Sequence, residues 1–241
     1  MCQAERQTTI QELDDHLETD LHLETDLEGQ SVTAPASPTS PTPSRRQSHK
    51  VRTERALQQA ALELFSHHGF DATTTDDVAA RAGVSPRTFF RYFATKDSVL
   101  FAGAHAWVRT LSDQLLAQPA QLSEVDALRE SLLVLVPSVV PGRRSYVLFE
   151  RAVASSPALR GRVHDQSQID IGRLSEAIAQ RRGAERPDPA SRLLATIVLT
   201  TYRRALDLWL ADTEGADLRA AISYEFDLLL AEFPSGERMA L

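Results

Sequence analysis

The chain has 241 residues, of which 42% are hydrophobic, and a formal net charge of −7; this composition excludes wholesale disorder and allows one or two domains with a buried core. Cys2 is the only cysteine, so an internal disulfide is excluded and a zinc cluster is disfavoured. No apolar run approaches the roughly 18–20 residues of a membrane-spanning helix, and the acidic start lacks the pattern of a secretory signal. We therefore expect a cytoplasmic protein with no membrane segment, no metal and no cofactor.

Charge is unevenly distributed along the chain. Residues 1–44 hold one basic and nine acidic residues, whereas residues 45–109 hold ten basic and six acidic residues. A basic segment beside acidic ones is typical of a nucleic-acid-binding domain joined to a more neutral domain, although an ordinary solvated surface could carry the same charge.

Residues 1–44 resemble an extension rather than a folded unit. A six-residue repeat, His-Leu-Glu-Thr-Asp-Leu, runs twice through residues 16–27, and residues 31–44 are dominated by Ser, Thr, Ala and Pro. A six-residue period builds no lasting apolar stripe on a helix, and the second tract cannot bury enough apolar surface to offset the cost of ordering. We expect a disordered acidic, then Ser/Pro/Thr-rich extension; whether translation begins downstream stays open.

Helical periodicity begins at about Thr53. Apolar residues between Ala56 and Phe65 recur on one face of a helix, and Gly69 predicts its end. The stretch 73–77, Thr-Thr-Thr-Asp-Asp, predicts the capped start of a second helix over about 76–82.

Two further helices follow in quick succession. Gly83 breaks the second helix, and Ser85-Pro86 predicts an N-cap and first-turn proline for a third helix ending at about Tyr92. Thr95 is expected to cap a longer fourth helix. Two short helices joined by a tight turn containing Gly are typical of a helix-turn-helix.

The remaining chain repeats helical spacing, with apolar faces near 122–136, 144–155, 158–182, 188–212 and 215–233. Pro137, Pro141, Pro157, Gly183 and Gly215 mark the expected breaks, and no alternating strand pattern appears. The fold class is therefore predicted to be all-α with about nine helices. Both of the last two segments, 188–212 and 215–233, carry broad apolar faces, which suit either a four-helix homodimer interface or a plain intramolecular core.

At Thr53–Leu100 the sequence resembles the DNA-binding domain of the TetR family. The similarity spans about a fifth of the chain and holds several motifs in register: Ala-Ala-Leu-Glu-Leu-Phe at 60–65, Gly-Phe at 69–70, Asp-Val-Ala at 77–79, Ala-Gly-Val-Ser at 82–85 and Thr-Phe-Phe-Arg-Tyr-Phe at 88–93. Together with Leu-Trp-Leu-Ala-Asp at 208–212, the last of these also resembles mycofactocin-type regulators, which are associated with acyl-CoA.

The resemblance implies a three-part organisation: the extension 1–44, a helix-turn-helix domain over 45–98, and an effector-binding and dimerisation domain over 99–241. It further implies a transcriptional regulator, more often a repressor, that a small apolar or amphipathic effector releases from a palindromic operator. A helix-turn-helix activator, or a DNA binder without an effector, is the alternative.

DNA contacts are expected from the recognition helix and its surroundings. Arg87 can bond guanine or a phosphate, and Thr88 can reach a base edge or a thymine methyl. Phe90 departs from the Tyr that is common in the family, so one contact is lost or replaced by ring packing. The full predicted set is Arg87, Thr88, Tyr92, Lys96, Thr74, Thr75, Ser85, Phe90, Arg91 and Arg46.

Arg46 belongs to a basic group, with Arg45, Lys50 and Arg52, that is expected to precede the first helix as a flexible arm, either entering the minor groove or simply solvated. For the effector pocket, the resemblance points to the helices between about 100 and 205. Polar and aromatic residues among apolar ones suit such a site, and the candidates are Tyr146, Phe149, His164, Gln168 and Tyr202.

Two other classes of protein fit less well. An enzyme is disfavoured because the sequence shows no Gly-rich phosphate loop, nucleophile elbow, paired metal ligands or Cys–His pair. A protein-interaction scaffold that has lost DNA binding would tolerate acidic residues where Arg87, Arg91 and Lys96 stand. We therefore expect a DNA-binding regulator rather than an enzyme.

Overall fold

The structure, a computed structural model, describes residues 45–101, 104–212 and 217–232, and every regular element in these ranges is helical, which confirms the all-α fold class. A 3₁₀ helix, Val140–Gly142, lies between the sixth and seventh α-helices. The predicted fourth helix is represented by two described segments, α4 and α5, and the extension 1–44 lies outside the described residues. The α-helices are α1 Arg45–His68, α2 Thr75–Arg81, α3 Pro86–Tyr92, α4 Ser98–Phe101, α5 Ala104–Ala117, α6 Glu124–Val139, α7 Arg143–Ser155, α8 Pro157–Arg181, α9 Pro189–Ala211 and α10 Leu218–Glu232.

The ends of α1, α2 and α3 follow the predicted signals. Gly69 ends α1 with a φ of +83°, a conformation that side chains with a Cβ rarely adopt. Thr74 caps α2 in a reciprocal capping box with Asp77, and the Ser85 hydroxyl accepts a hydrogen bond from the Thr88 amide at the start of α3. These local devices determine where α1 ends and where α2 and α3 begin.

One expectation about α1 is wrong. Arg45, Arg46, Lys50 and Arg52 do not precede the first helix, because α1 begins at Arg45 and includes all four. Apolar periodicity reports only the part of a helix that packs against a core, and that part begins near Thr53. Arg, Lys and Gln are good helix formers, so the helix continues upstream of Thr53 through residues 48–52, which are exposed and carry no periodic signal.

Pro137 was expected to separate two helices, but it lies inside α6. Proline has no amide hydrogen, so the carbonyl four residues earlier loses its helical donor. That carbonyl belongs to Leu133, and the guanidinium of Arg219 at the start of α10 donates to it at 3.1 Å. A long-range hydrogen bond thus replaces the missing local one, and the helix continues to Val139.

Two groups of buried apolar residues organise the described chain. The C-terminal cluster consists of buried residues of α5, α6, α8, α9 and α10, including Leu128, Leu174, Val198 and Phe226. The N-terminal cluster brings together α1–α4 but also takes residues from α7 and α8: Leu57, Ala60, Ala61, Phe65, Phe70, Val78, Ala79, Phe89, Phe93, Val99, Ala152 and Leu159. The helix-turn-helix part therefore rests on the junction of α7 and α8, and the predicted domain boundary at residue 98 stays a prediction.

Glu124–Ser155 is long and apolar enough, by length and composition alone, to pass as a membrane span. In the structure the 3₁₀ helix divides this run into α6 and α7, and eight residues of α6 are buried, among them Leu128 and Leu132. Its apolar character is accounted for by packing in the C-terminal cluster.

Candidate DNA interface and effector site

Helix α3 presents one apolar face inward and one charged face outward. Phe89 is fully buried, and its ring contacts Phe93 with 5.7 Å between centroids. Arg87 and Arg91 are exposed on the opposite side. Phe90 is 54% exposed and packs edge-on against Phe89 at 5.4 Å, so its ring is available to an external apolar group.

Several predicted contact residues already use their hydroxyl groups within the protein. The Ser85 and Thr88 hydroxyls lie 3.0 Å apart and share a hydrogen bond. The Thr74 hydroxyl donates to the Asp77 carboxylate at 2.6 Å and accepts from the Asp77 amide at 3.1 Å. The Thr74 hydroxyl and the Thr74 backbone amide both donate to the Asp77 carboxylate, and these two bonds hold the pKa of Asp77 below its ordinary value. Thr74 therefore orders the start of α2, and Thr75, the first residue of α2, is half-buried.

Lys96 has an intramolecular role that sequence reasoning missed. Its ammonium donates to the carbonyl oxygens of Phe70 at 2.6 Å and Thr73 at 2.8 Å. It also lies 4.1 Å from the centre of the Phe70 ring. Lys96 thus ties the segment before α4 to the loop between α1 and α2. Because the partners lie more than twenty residues away in sequence, no local signal could have found them.

Tyr92 and Arg46 complete the predicted DNA-contact set. Tyr92 is half-buried at the end of α3, and the Arg91 guanidinium lies 5.3 Å from its ring centre. Arg46 lies in the first turn of α1. The structure therefore brings Arg87, Phe90, Arg91 and Tyr92 together on one short helix.

Helices α9 and α10 pack against each other and still leave apolar residues uncovered. Val198, Ala205, Trp209, Ile222 and Phe226 are buried within the chain, so this part of the predicted dimer face belongs to the intramolecular core. The exposed large apolar residues on the two helices are Leu193 (61%), Leu208 (44%), Tyr224 (56%) and Leu228 (42%).

An ion pair lies between the same two helices. Arg204, whose side chain is 63% exposed, bonds Glu225, whose side chain is 4% exposed, through two contacts of 2.7 and 3.2 Å. The buried carboxylate is therefore fully partnered within one chain.

Aromatic side chains from α5, α7 and α9 gather in the C-terminal cluster. The Trp107 and Tyr202 rings are stacked, with centroids 4.8 Å apart and planes 15° apart. Tyr146 meets Trp209 edge-on at 6.3 Å. Burial raises the pKa of the Tyr202 phenol, and Tyr146 adds to this effect. Two of the predicted effector-site residues, Tyr146 and Tyr202, therefore belong to one aromatic group.

The other three predicted effector-site residues lie elsewhere. Phe149 contacts Phe101 edge-on at 6.1 Å. His164 and Gln168 are exposed on α8, and this is a correction to the expectation that all five residues line one pocket. Both belong to the polar surface of a long amphipathic helix. Sequence reasoning missed Trp107, although a tryptophan N–H in a buried segment requires a partner and could have marked it.

Comparison with known proteins covers both parts of the chain. The sequence model of the family described as "Bacterial regulatory proteins, tetR family" matches residues 57–102, and the model described as "MftR C-terminal domain" matches residues 122–234. The HTH-type transcriptional regulator TcmR of Streptomyces glaucescens is 29% identical over 79% of this chain and 88% of its own. A protein named as mycofactocin biosynthesis transcriptional regulator MftR, from Mycobacterium tuberculosis, is 26% identical over 78% of this chain and 95% of its own.

A solved structure agrees with this assignment at the level of the fold. The transcriptional regulator of the TerR/AcrR family from Aquifex aeolicus has a TM-score of 0.52 and 15% identity, covering 75% of this chain and 99% of its own.

Proposed function

This chain is a member of the TetR family of bacterial transcriptional regulators, with a C-terminal domain of the mycofactocin-regulator type, and on that premise we propose that it represses transcription by binding a palindromic operator as a homodimer. An effector bound in the C-terminal domain releases it. DNA binding through a helix-turn-helix is a property of the family. For this chain we propose which residues contact the operator, which face forms the dimer and where the effector binds.

The exposed face of α3 is the observation that carries the proposed operator contacts. Arg87 stands in the first turn of α3, where a recognition helix meets base edges, and its guanidinium can donate two hydrogen bonds to guanine. The exposed Phe90 ring suits a thymine methyl group. Arg91 and Tyr92, further along, are placed for phosphates. The buried Phe89 holds this face outward.

The uncovered apolar residues of α9 and α10 support the proposed dimer. Leu193, Leu208, Tyr224 and Leu228 lie on the two helices that the matching C-terminal family model includes. Burying a large apolar side chain stabilises by about 1.5–3 kcal/mol. A second copy of the same face would therefore supply a substantial driving force, and a two-fold dimer places its two α3 helices on two half-sites about one DNA turn, roughly 34–36 Å, apart.

Release from DNA requires that a structural shift in the C-terminal cluster be transmitted to the N-terminal cluster. Asp97, next to α4, pairs with Arg162 of α8 at 3.2 Å, and Ala152 and Leu159 pack in the N-terminal cluster. An effector that shifts α7 or α8 therefore shifts the helix-turn-helix, and it favours release only to the extent that it binds the shifted arrangement more tightly.

A DNA titration tests the proposal. Purified protein is titrated against the DNA flanking its own gene at two salt concentrations, together with Arg87→Ala and with Arg109→Ala, which removes an exposed arginine from α5. We expect saturable, salt-sensitive binding to one site, with Arg87→Ala costing about 1–3 kcal/mol of binding free energy and Arg109→Ala leaving it unchanged. Equal binding to any DNA, indifferent to Arg87, would reject an operator-specific regulator.

A further inference from the structure

The Trp107–Tyr202 stack holds two buried polar atoms that lack a partner. The Trp107 Nε1 and the Tyr202 hydroxyl oxygen are both inaccessible to solvent, and neither makes a hydrogen bond to any described residue. Tyr202 as a whole is 6% exposed. A buried polar group without a partner is destabilising and uncommon in native proteins. Two such groups on adjoining rings therefore need a partner from outside the chain, either an ordered water or a ligand.

The chemistry of these groups limits what that partner is. The indole N–H can only donate a hydrogen bond, and a phenol can donate one as well. Their shared requirement is an acceptor, such as a ketone, ester or amide oxygen. The stack packs in the C-terminal cluster, whose apolar side chains come from five helices, so the rest of the partner must also be apolar.

Two arginines lie near these rings and bond other groups of the chain, although the Arg143 Nε itself has no partner among the described residues. The Arg143 guanidinium donates to the carbonyls of Trp209 and Asp212 at 3.1 and 2.5 Å. Burial lowers the pKa of Arg203, but the carboxylates of Glu150 and Asp207 outweigh this effect and raise it overall. Neither guanidinium bonds the Trp107 Nε1 or the Tyr202 hydroxyl, and Arg143 lies over the ring of Trp209 instead. An ionic group bonded at the stack would therefore lose its hydration without gaining a direct counter-charge, which is costly.

We propose that the Trp107–Tyr202 stack is the polar recognition point of the effector site and selects uncharged ligands that carry a hydrogen-bond acceptor on an apolar frame. This rests on the proposed role of the C-terminal domain in effector binding. It adds the ligand class and the two groups that recognise it.

The test compares three probes of one chain length, 2-undecanone, undecane and undecanoate. Trp107 and Trp209 are the protein's two tryptophans, so quenching of intrinsic fluorescence measures the affinity for each probe. Tyr202→Phe removes the unpartnered hydroxyl. The matched control is Thr201→Val, because the neighbouring Thr201 hydroxyl is also buried but donates to the Ile197 carbonyl at 2.9 Å.

We expect wild-type protein to bind the ketone more tightly than the alkane or the carboxylate. Tyr202→Phe should lower the affinity for the ketone by about two- to tenfold and leave that for the alkane unchanged. Without a probe, the same variant should be as stable as wild type or more so, because it removes an unsatisfied polar atom. Thr201→Val should keep the preference for the ketone.

Three results would overturn the proposal: tightest binding of the carboxylate, no binding of any probe, or a ketone preference that survives Tyr202→Phe. If Tyr202→Phe is less stable than wild type and still prefers the ketone, the Trp107 Nε1 and the Tyr202 hydroxyl bond an ordered water rather than a ligand. Operator binding by the same variants without probe is measured in parallel, so failure of the proposed regulatory function is recognised separately.

Discussion

Replacing Lys96 with Met separates a structural role from a DNA contact at this position. The substitution keeps an unbranched apolar side chain but removes the ammonium, together with its hydrogen bonds to the Phe70 and Thr73 carbonyls and its contact with the Phe70 ring. A hydrogen bond from a charged donor contributes about 1.5–3 kcal/mol where it is buried. The two bonds here are partly exposed, and water can replace part of each.

We therefore expect Lys96→Met to lower the free energy of unfolding by about 2–3 kcal/mol, including roughly 0.5–1 kcal/mol from the cation–π contact. The measurement is urea unfolding followed by circular dichroism. Arg87→Met is the control, since it removes an exposed cation of α3 that has no hydrogen bond or ion pair with another described residue; its unfolding free energy should match that of wild type.

The alternative role of Lys96 predicts a different pattern. If its ammonium mainly neutralises a phosphate, Lys96→Met would leave stability unchanged and lower the salt dependence of operator binding by about 0.9 in log–log slope. We expect the slope to stay constant for Lys96→Met and to fall for Arg87→Met. A stable Lys96→Met with a reduced slope would refute the reasoning from the two carbonyl contacts.

Three further outcomes follow from the structure. Gly69→Ala should destabilise the protein by about 1–2 kcal/mol in urea unfolding, because a Cβ at a φ of +83° is strained even though no atom lies within 4 Å of it. The stabilising effect of the Asp77 carboxylate should be present above its ordinary pKa of 3.8 and disappear as the pH falls through its lower native pKa; Asp77→Asn should remove this pH dependence, and an unaltered acid profile would contradict the capping box. Leu193→Glu should convert the proposed dimer to a folded monomer in analytical ultracentrifugation, whereas Leu116→Glu, at a less exposed site on α5, should stay dimeric; a dimeric Leu193→Glu would place the interface elsewhere.

The parts of the fold that were predictable are those determined by neighbouring residues. The end of α1 at Gly69 and the caps at Thr74 and Ser85 each depend on contacts within a few residues, so the sequence pattern was sufficient. The start of α1 was not predictable from periodicity, because residues 48–52 are exposed and carry no apolar stripe. Continuation of α6 through Pro137 depends on Arg219, a residue more than eighty positions away.

The residues of the candidate site also fall into two groups, those that local sequence patterns place and those that tertiary packing places. Arg87 and Phe90 could be placed on the exposed face of α3, since the buried Phe89 fixes the phase of that helix. The inward turn of Lys96 and the stacking of Trp107 on Tyr202 arise from tertiary packing, which brings together residues that are distant in sequence.

Two contacts between α8 and the helix-turn-helix differ enough in strength to decide which one transmits a shift of α8. The Asp97–Arg162 pair is largely exposed on its arginine side, and such pairs contribute about 0.2–1 kcal/mol. Leu159 is fully buried in the N-terminal cluster, and truncating a buried leucine to alanine costs about 2–5 kcal/mol. We therefore expect Leu159→Ala to split thermal unfolding in calorimetry into two transitions, as the two clusters lose their shared contact, while Arg162→Ala keeps one. The reverse pattern would assign the coupling to the ion pair, and the effector signal would then pass through the start of α4 rather than through the packed junction of α7 and α8.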